Sequence, residues 1–100
     1  RMVREATFIT AAHGSFRGII QNISVGGIYM TASTKMDIGE HFEFQYHFSK
    51  KDQEIQGKVL RVTLIRDNYS VYGCQFVELP KGTERDIRQY VYRKQLNSAW

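Results

Sequence analysis

The segment Phe42-Glu43-Phe44-Gln45-Tyr46-His47-Phe48 carries the clearest indication of fold in this sequence. Its aromatic residues occupy every second position, with polar or charged residues between them. Side chains alternate between the two faces of a β-strand, so this pattern predicts a strand with one buried aromatic face and one exposed polar face. Aromatic side chains bury large areas, and we expect this row to fill a hydrophobic core.

The same aromatic row also suggests a second function, because strand aromatics of small barrels can stack the bases of single-stranded nucleic acid. Core packing is favoured, since the other β-rich segments offer mostly aliphatic residues. Burial of Phe42, Phe44 and Tyr46 would exclude the nucleic-acid hypothesis. The net charge of +4 suits an anionic partner but is too small for a dedicated DNA-binding protein, so nucleic acid is not an expected partner.

Further β-rich segments separated by turn residues lie on both sides of this strand. They cover residues 7–11, 16–23, 28–31, 55–65 and 69–77. Successive short strands joined by hairpins favour a closed or nearly closed antiparallel barrel, because closure removes the exposed edges that promote aggregation. We therefore predict a mainly β fold, a six-stranded antiparallel barrel, formed by one domain over residues 1–100.

The spacing of apolar residues changes from strand-like to helix-like after Pro80 and Gly82. Apolar residues now fall at Ile87, Tyr90 and Val91, which is helical spacing, and Thr83 is predicted as the N-cap residue. The sequence thus predicts one C-terminal amphipathic α-helix lying over an end or a face of the barrel.

The first residue, the length of the apolar runs and the single cysteine indicate where the domain is found in the cell and in its parent protein. The chain begins with Arg1 rather than Met, so we expect this domain to be part of a longer protein. No apolar run approaches the roughly 20 residues that span a bilayer, and no membrane span is expected. The single Cys74 cannot form an intrachain disulfide, which favours a reducing, cytoplasmic location.

The sequence gives little support to an enzyme. His13, His41 and His47 do not have the spacing of a metal site, and no nucleophile, phosphate-loop or dinucleotide motif is present. We therefore expect neither catalytic residues nor a metal or other cofactor.

The segment Asn22-Ile23-Ser24-Val25-Gly26-Gly27 is the best candidate for a binding site. The spacing places Asn22 and Ser24 on one face of a strand end, next to paired glycines that let a ligand approach the backbone closely. An ordinary hairpin turn is the alternative, because Asn, Ser and Gly are common turn residues.

Several of these features together resemble the PilZ domain family. They are Asn22-x-Ser24-x-x-Gly27, the apolar strand that follows it, the segment 73–79 (Gly-Cys-Gln-Phe-Val-Glu-Leu) and the helix containing residues 87–91. The resemblance implies a six-stranded barrel with a C-terminal helix and, as in many bacterial members, a receptor for cyclic di-GMP. It also implies that Asn22, Ser24, Gly26 and Gly27 contact the ligand.

The family's second binding element is an RxxxR motif just before the first strand. Here Arg1 and Arg4 are three residues apart rather than four. Either the motif continues upstream of Arg1, or it is degenerate and both arginines belong to a solvated chain end. Arginine suits this ligand, because it can bind a guanine edge or a phosphate through two hydrogen bonds. We expect Arg1 and Arg4 to contact cyclic di-GMP.

The resemblance implies a receptor whose change of conformation on binding cyclic di-GMP is passed to a neighbouring domain or a partner protein. The alternative function is a PilZ-like protein-interaction domain that does not bind nucleotide.

Overall fold

The computed structural model describes residues 4–47, 52–66 and 68–98, and for residues 64–66 and 95–98 it describes the backbone only. The predicted strand residue Phe48 and the site residue Arg1 lie outside this set. The strands are β1 (Arg4–Thr10), β2 (Gly14–Ile23), β3 (Gly27–Ala32), β4 (His41–His47), β5 (Asp52–Arg66) and β6 (Tyr69–Val77), and the helix is α1 (Lys81–Ser98).

The strands form a closed antiparallel barrel in the order β1-β2-β3-β6-β5-β4, which confirms the predicted fold. The barrel closes where β1 pairs with β4, with Phe8 opposite Phe44. The hydrogen-bonded pairing of β1 with β2 extends beyond the residues whose apolar spacing predicted these strands. Arg4 pairs with Ile20 at one end of the hairpin, and Thr10 pairs with Gly14 at the other. For this reason β1 and β2 begin earlier than the sequence predicts.

The aromatic row of β4 lies inside the barrel. Phe42, Phe44 and Tyr46 are 4%, 2% and 2% exposed, and the centres of the Phe8 and Phe44 rings are 5.1 Å apart. Gly57 makes room for this row, since a Cβ atom there would lie 2.8 Å from Cζ of Phe42. These rings form the core, and the hypothesis that they stack nucleic-acid bases is wrong.

The strand register shifts at three places, and the two β-bulges next to Asn22 and Arg61 change the direction in which side chains point. The register shifts between Ile20 and Asn22 in β2, and between Val59 and Arg61 in β5. A bulge inserts one residue and thereby reverses the alternation of inward and outward side chains beyond it. Asn22 and Arg61 are consequently exposed on the outside of the barrel.

Helix α1 packs against the barrel through Ile87, which is fully buried in the same cluster as the inward-facing strand residues. Tyr90 contacts Tyr46 at the end of β4, and Gln53 donates a 2.6 Å hydrogen bond to Asp86. The helix thus covers one end of the core. No α-helix in the described residues is long and apolar enough to cross a membrane.

The predicted N-cap at Thr83 is wrong. The helix begins at Lys81, and the backbone N–H of Glu84 donates to the carbonyl of Pro80, which is therefore the residue at the N-cap position. Residues four apart share one helix face, so Thr83 is buried beside the barrel on the same face as Ile87. Threonine is a common N-cap residue, which is why the sequence predicted a helix start there. In the structure Thr83 instead belongs to the helix face that packs against the barrel.

Candidate functional site

A pocket of about 440 Å³ lies on the outer wall of the barrel, where β2, β3, β6 and β5 run side by side. Its lining combines the predicted turn residues with side chains from two strands that are distant in sequence. The lining residues are Asn22, Ser24, Gly26, Gly27, Ile28, Tyr29, Leu60, Arg61, Gly73, Cys74 and Gln75. The structure therefore brings four of the six predicted site residues together around one concave surface.

Asn22 lies at the end of β2, with its side chain directed outward by the bulge. Its Oδ1 atom accepts a 2.9 Å hydrogen bond from the backbone N–H of Ile23. This bond uses the carbonyl side of the amide, so the NH₂ group is the part of Asn22 that is available to donate to an acceptor in the pocket.

Ser24 and Gly27 close a tight turn between β2 and β3. The backbone N–H of Ser24 donates to the carbonyl of Gly27 at 2.8 Å, and the N–H of Gly27 donates to Oγ of Ser24 at 3.2 Å. The Ser24 hydroxyl also donates to the Gly27 carbonyl at 3.3 Å. A hydroxyl has two acceptor sites, so Oγ can still accept one hydrogen bond from a ligand.

The paired glycines of the turn have different steric surroundings. A Cβ atom on Gly27 would lie 1.8 Å from the carbonyl oxygen of Cys74, whereas a Cβ atom on Gly26 would meet nothing within 4 Å. Gly27 is therefore required for β3 to approach β6. Gly26 faces open space, and its carbonyl accepts a 2.9 Å hydrogen bond from Phe76.

Tyr29 and Arg61 are functional candidates that sequence reasoning missed. The guanidinium group of Arg61 donates to the hydroxyl of Tyr29, and its carbon atom is 5.6 Å from the centre of the Tyr29 ring. Both side chains lie over Gly73, where a Cβ atom would be 3.2 Å from Cε1 of Tyr29 and 3.3 Å from Nε of Arg61. No short-range motif marks this pair, because Tyr29 comes from β3 and Arg61 from β5. The glycine that makes room for both side chains lies in a third strand, β6.

Cys74 contributes to the pocket wall but not as a nucleophile. Burial raises the pKa of its thiol to about 12, so the sulfur is protonated at neutral pH. The thiolate is the reactive form, and a buried neutral thiol has a structural role.

The predicted arginines are placed differently from the turn residues. Arg4 does not line the pocket; its guanidinium carbon lies 4.9 Å from the centre of the Tyr46 ring, at the barrel end that α1 covers. Arg1 lies outside the described residues. The contact of these two arginines with a ligand remains a prediction.

Histidine and carboxylate side chains form isolated pairs away from this pocket. His13 contacts Glu40 at 2.8 Å, and His47 contacts Asp52 at 3.1 Å. Within residues 4–47, 52–66 and 68–98, no group of three or more His, Cys, Asp or Glu side chains is arranged to hold a metal ion.

The six-stranded barrel, its C-terminal helix and an outer pocket walled by a glycine turn define a small β-barrel binding domain. The sequence model of the PilZ domain matches residues 3–93, and the chain therefore belongs to the PilZ domain family. The crystal structure of the PilZ domain of CeSA from a cellulose-synthesising bacterium is similar in fold, with a TM-score of 0.64 over 94% of each chain at 9% identity. No curated protein matches the sequence. PilZ domains are binding and regulatory domains, and the family in general consists of cyclic di-GMP receptors.

Proposed function

We propose that this domain is a receptor for cyclic di-GMP that binds the dinucleotide in the outer pocket. The observation that supports it most directly is the convergence of Asn22, Ser24, Gly26 and Gly27 on one concave surface. Asn22, Ser24 and Gly27 are the positions at which the chain carries the family's Asn-x-Ser-x-x-Gly element, and Gly26 lies between the last two. The role is non-enzymatic: a change in the bound state is passed to a neighbouring domain or partner protein in the cytoplasm.

The chemistry of the lining suits such a ligand. Cyclic di-GMP presents two negatively charged phosphates and two flat guanine bases. The pocket offers the Asn22 amide, an acceptor site on the Ser24 hydroxyl, and side-chain-free backbone at Gly26. A glycine lets a ligand approach the main chain closely. Arg1 ahead of β1, together with Arg4 at the first position of β1, would complete the site by contacting the bound dinucleotide.

The test is isothermal titration of the protein, including any residues that naturally precede Arg1, with cyclic di-GMP. We expect saturable binding, and we expect binding to weaken when Arg1 is replaced by Ala. A folded protein, judged by circular dichroism, that releases no heat with cyclic di-GMP would overturn the proposal. That result would favour the alternative, a PilZ domain that recognises a protein and not a nucleotide.

A further inference from the structure

We infer that Arg61 is the residue on the barrel wall that binds a phosphate of the ligand, and that Tyr29 holds it in position. This inference rests on the proposed function and deepens it by adding a cation from β5. It concerns a different part of the chain from Arg1 and Arg4.

The charge around Arg61 supports an anion as its partner. Among the eleven residues that line the pocket, Arg61 carries the only formal charge, and none is Asp or Glu. Arg17 and Arg88 each lie beside a carboxylate, in the pairs Arg17–Glu5 and Arg88–Glu84, whereas Arg61 forms no ion pair with a described residue. A guanidinium group without a carboxylate partner binds phosphate favourably.

The position of Arg61 is fixed by its neighbours. Its guanidinium group donates to the Tyr29 hydroxyl and lies beside the Tyr29 ring. One face of the pair packs on Gly73, where a Cβ atom would lie 3.2 Å from Cε1 of Tyr29 and 3.3 Å from Nε of Arg61, so that a larger residue would push both side chains outward. Arginine offers five N–H donors, so binding to Tyr29 leaves others for a ligand. Holding a long side chain in place before binding reduces the entropy lost on binding.

The bulge of β5 is the local feature that makes this arrangement possible. Inward-facing residues occupy positions 55, 57 and 59, and strict alternation would direct residue 61 into the core. The register shift between Val59 and Arg61 instead pairs Arg61 with Gly73 on the outer face. The charged group therefore reaches the pocket without burial.

The experiment compares the affinity of the wild-type protein for cyclic di-GMP with that of R61Q, R61K and Y29F. We expect R61Q to weaken binding by at least roughly tenfold, because a charge-assisted hydrogen bond is lost. R61K should give an intermediate loss, since lysine keeps the charge but not the paired donors. Y29F should give a smaller loss of a few fold, because the ring remains and only the bond that holds Arg61 is removed.

The matched control is R85Q, which makes the same change of charge on the exposed side of α1, away from the pocket lining. It should bind within twofold of wild type. A ³¹P NMR spectrum of the saturated complex adds a readout of the contact itself, and the phosphorus resonance shifted in the wild-type complex should move back in R61Q.

The outcomes separate the two proposals. If the wild-type protein does not bind cyclic di-GMP, the proposed function fails, and the inference fails with it. If the wild-type protein binds and R61Q binds as tightly as R85Q, the role of Arg61 is wrong while the proposed function stands. An R61Q complex with weaker affinity but unchanged ³¹P shifts would also overturn the assignment of Arg61 to phosphate.

Discussion

Two outer walls of this barrel carry concave surfaces of nearly equal volume but opposite character. The pocket between the β2–β3 turn, β6 and β5 measures about 440 Å³ and contains Arg61 without any lining carboxylate. The concavity over β1, β4 and the start of β5, here called the acidic wall, measures about 420 Å³. Its charged lining residues are Glu43, Asp52 and Glu54.

Volume alone therefore does not identify a ligand site on this fold. An anionic dinucleotide would be attracted to the wall with an unpaired guanidinium and repelled by the wall with three carboxylates. The backbone differs as well: the pocket has Gly26, Gly27 and Gly73 among its lining residues, while the acidic wall has side chains throughout. Charge and access to the main chain therefore distinguish the two surfaces.

The largest expected effect comes from filling the space that Gly27 leaves open. In G27A the new methyl group would overlap the Cys74 carbonyl, and β3 could no longer approach β6. We expect the free energy of unfolding to fall by about 3 kcal/mol in urea denaturation. G26A is the matched control and should change stability by no more than about 0.5 kcal/mol, since its methyl group meets nothing. Equal stability of the two variants would contradict the steric account of the turn.

The next largest effect concerns ligand binding at the same turn. Replacing Ser24 with Ala removes the hydroxyl that faces the pocket, and we expect affinity for cyclic di-GMP to fall by about 2 kcal/mol, roughly 30-fold. Isothermal titration provides the measurement. S15A, at an exposed serine near the start of β2, is the control and should bind like wild type. Unchanged affinity in S24A would place the ligand elsewhere on the barrel.

The smallest effect is expected on the acidic wall. A hydrogen bond to Glu54, together with its negative charge, raises the pKa of Glu43 above the usual value for glutamate. A raised pKa in the folded state means that the pair favours folding at acid pH and that this contribution is lost as pH rises through that pKa. E54Q removes the repulsion, so its melting temperature should exceed that of wild type at pH 7, and the difference should disappear as the pH falls through the raised pKa of Glu43.

The same variant sharpens the comparison between the walls. Because Glu54 lies outside the pocket, E54Q should bind cyclic di-GMP within twofold of wild type. A large gain in affinity would show that the ligand contacts the acidic wall and not only the pocket.

Sequence patterns predicted the barrel because its strands are marked locally. Alternation in residues 42–48 identified an inward aromatic face, and the turn residues near Gly14 and at 24–27 marked the hairpins. The predicted cluster of Asn22, Ser24, Gly26 and Gly27 could be read in the same way, because its members are adjacent in the chain.

Arg61 and Tyr29 could not be predicted from the same reasoning. Their contact joins β3 to β5, and it depends on a bulge that reverses the alternation on which strand patterns rely. Leu60 is the extra residue of that bulge, and a leucine within a run of strand-forming residues gives no indication that a bulge is present. The N-cap error at Thr83 has a similar cause, because burial beside the barrel overrode a local preference.

The central claim is that the pocket wall, and not the acidic wall, binds the dinucleotide. Titration of ¹⁵N-labelled protein with cyclic di-GMP, followed by two-dimensional NMR of the backbone amides, tests this most directly. We expect the amide resonances of Ser24, Gly26, Tyr29 and Gly73 to shift, and those of Glu43 and Glu54 to stay unchanged. Shifts concentrated on the acidic wall, or no shifts at a large excess of cyclic di-GMP, would contradict it.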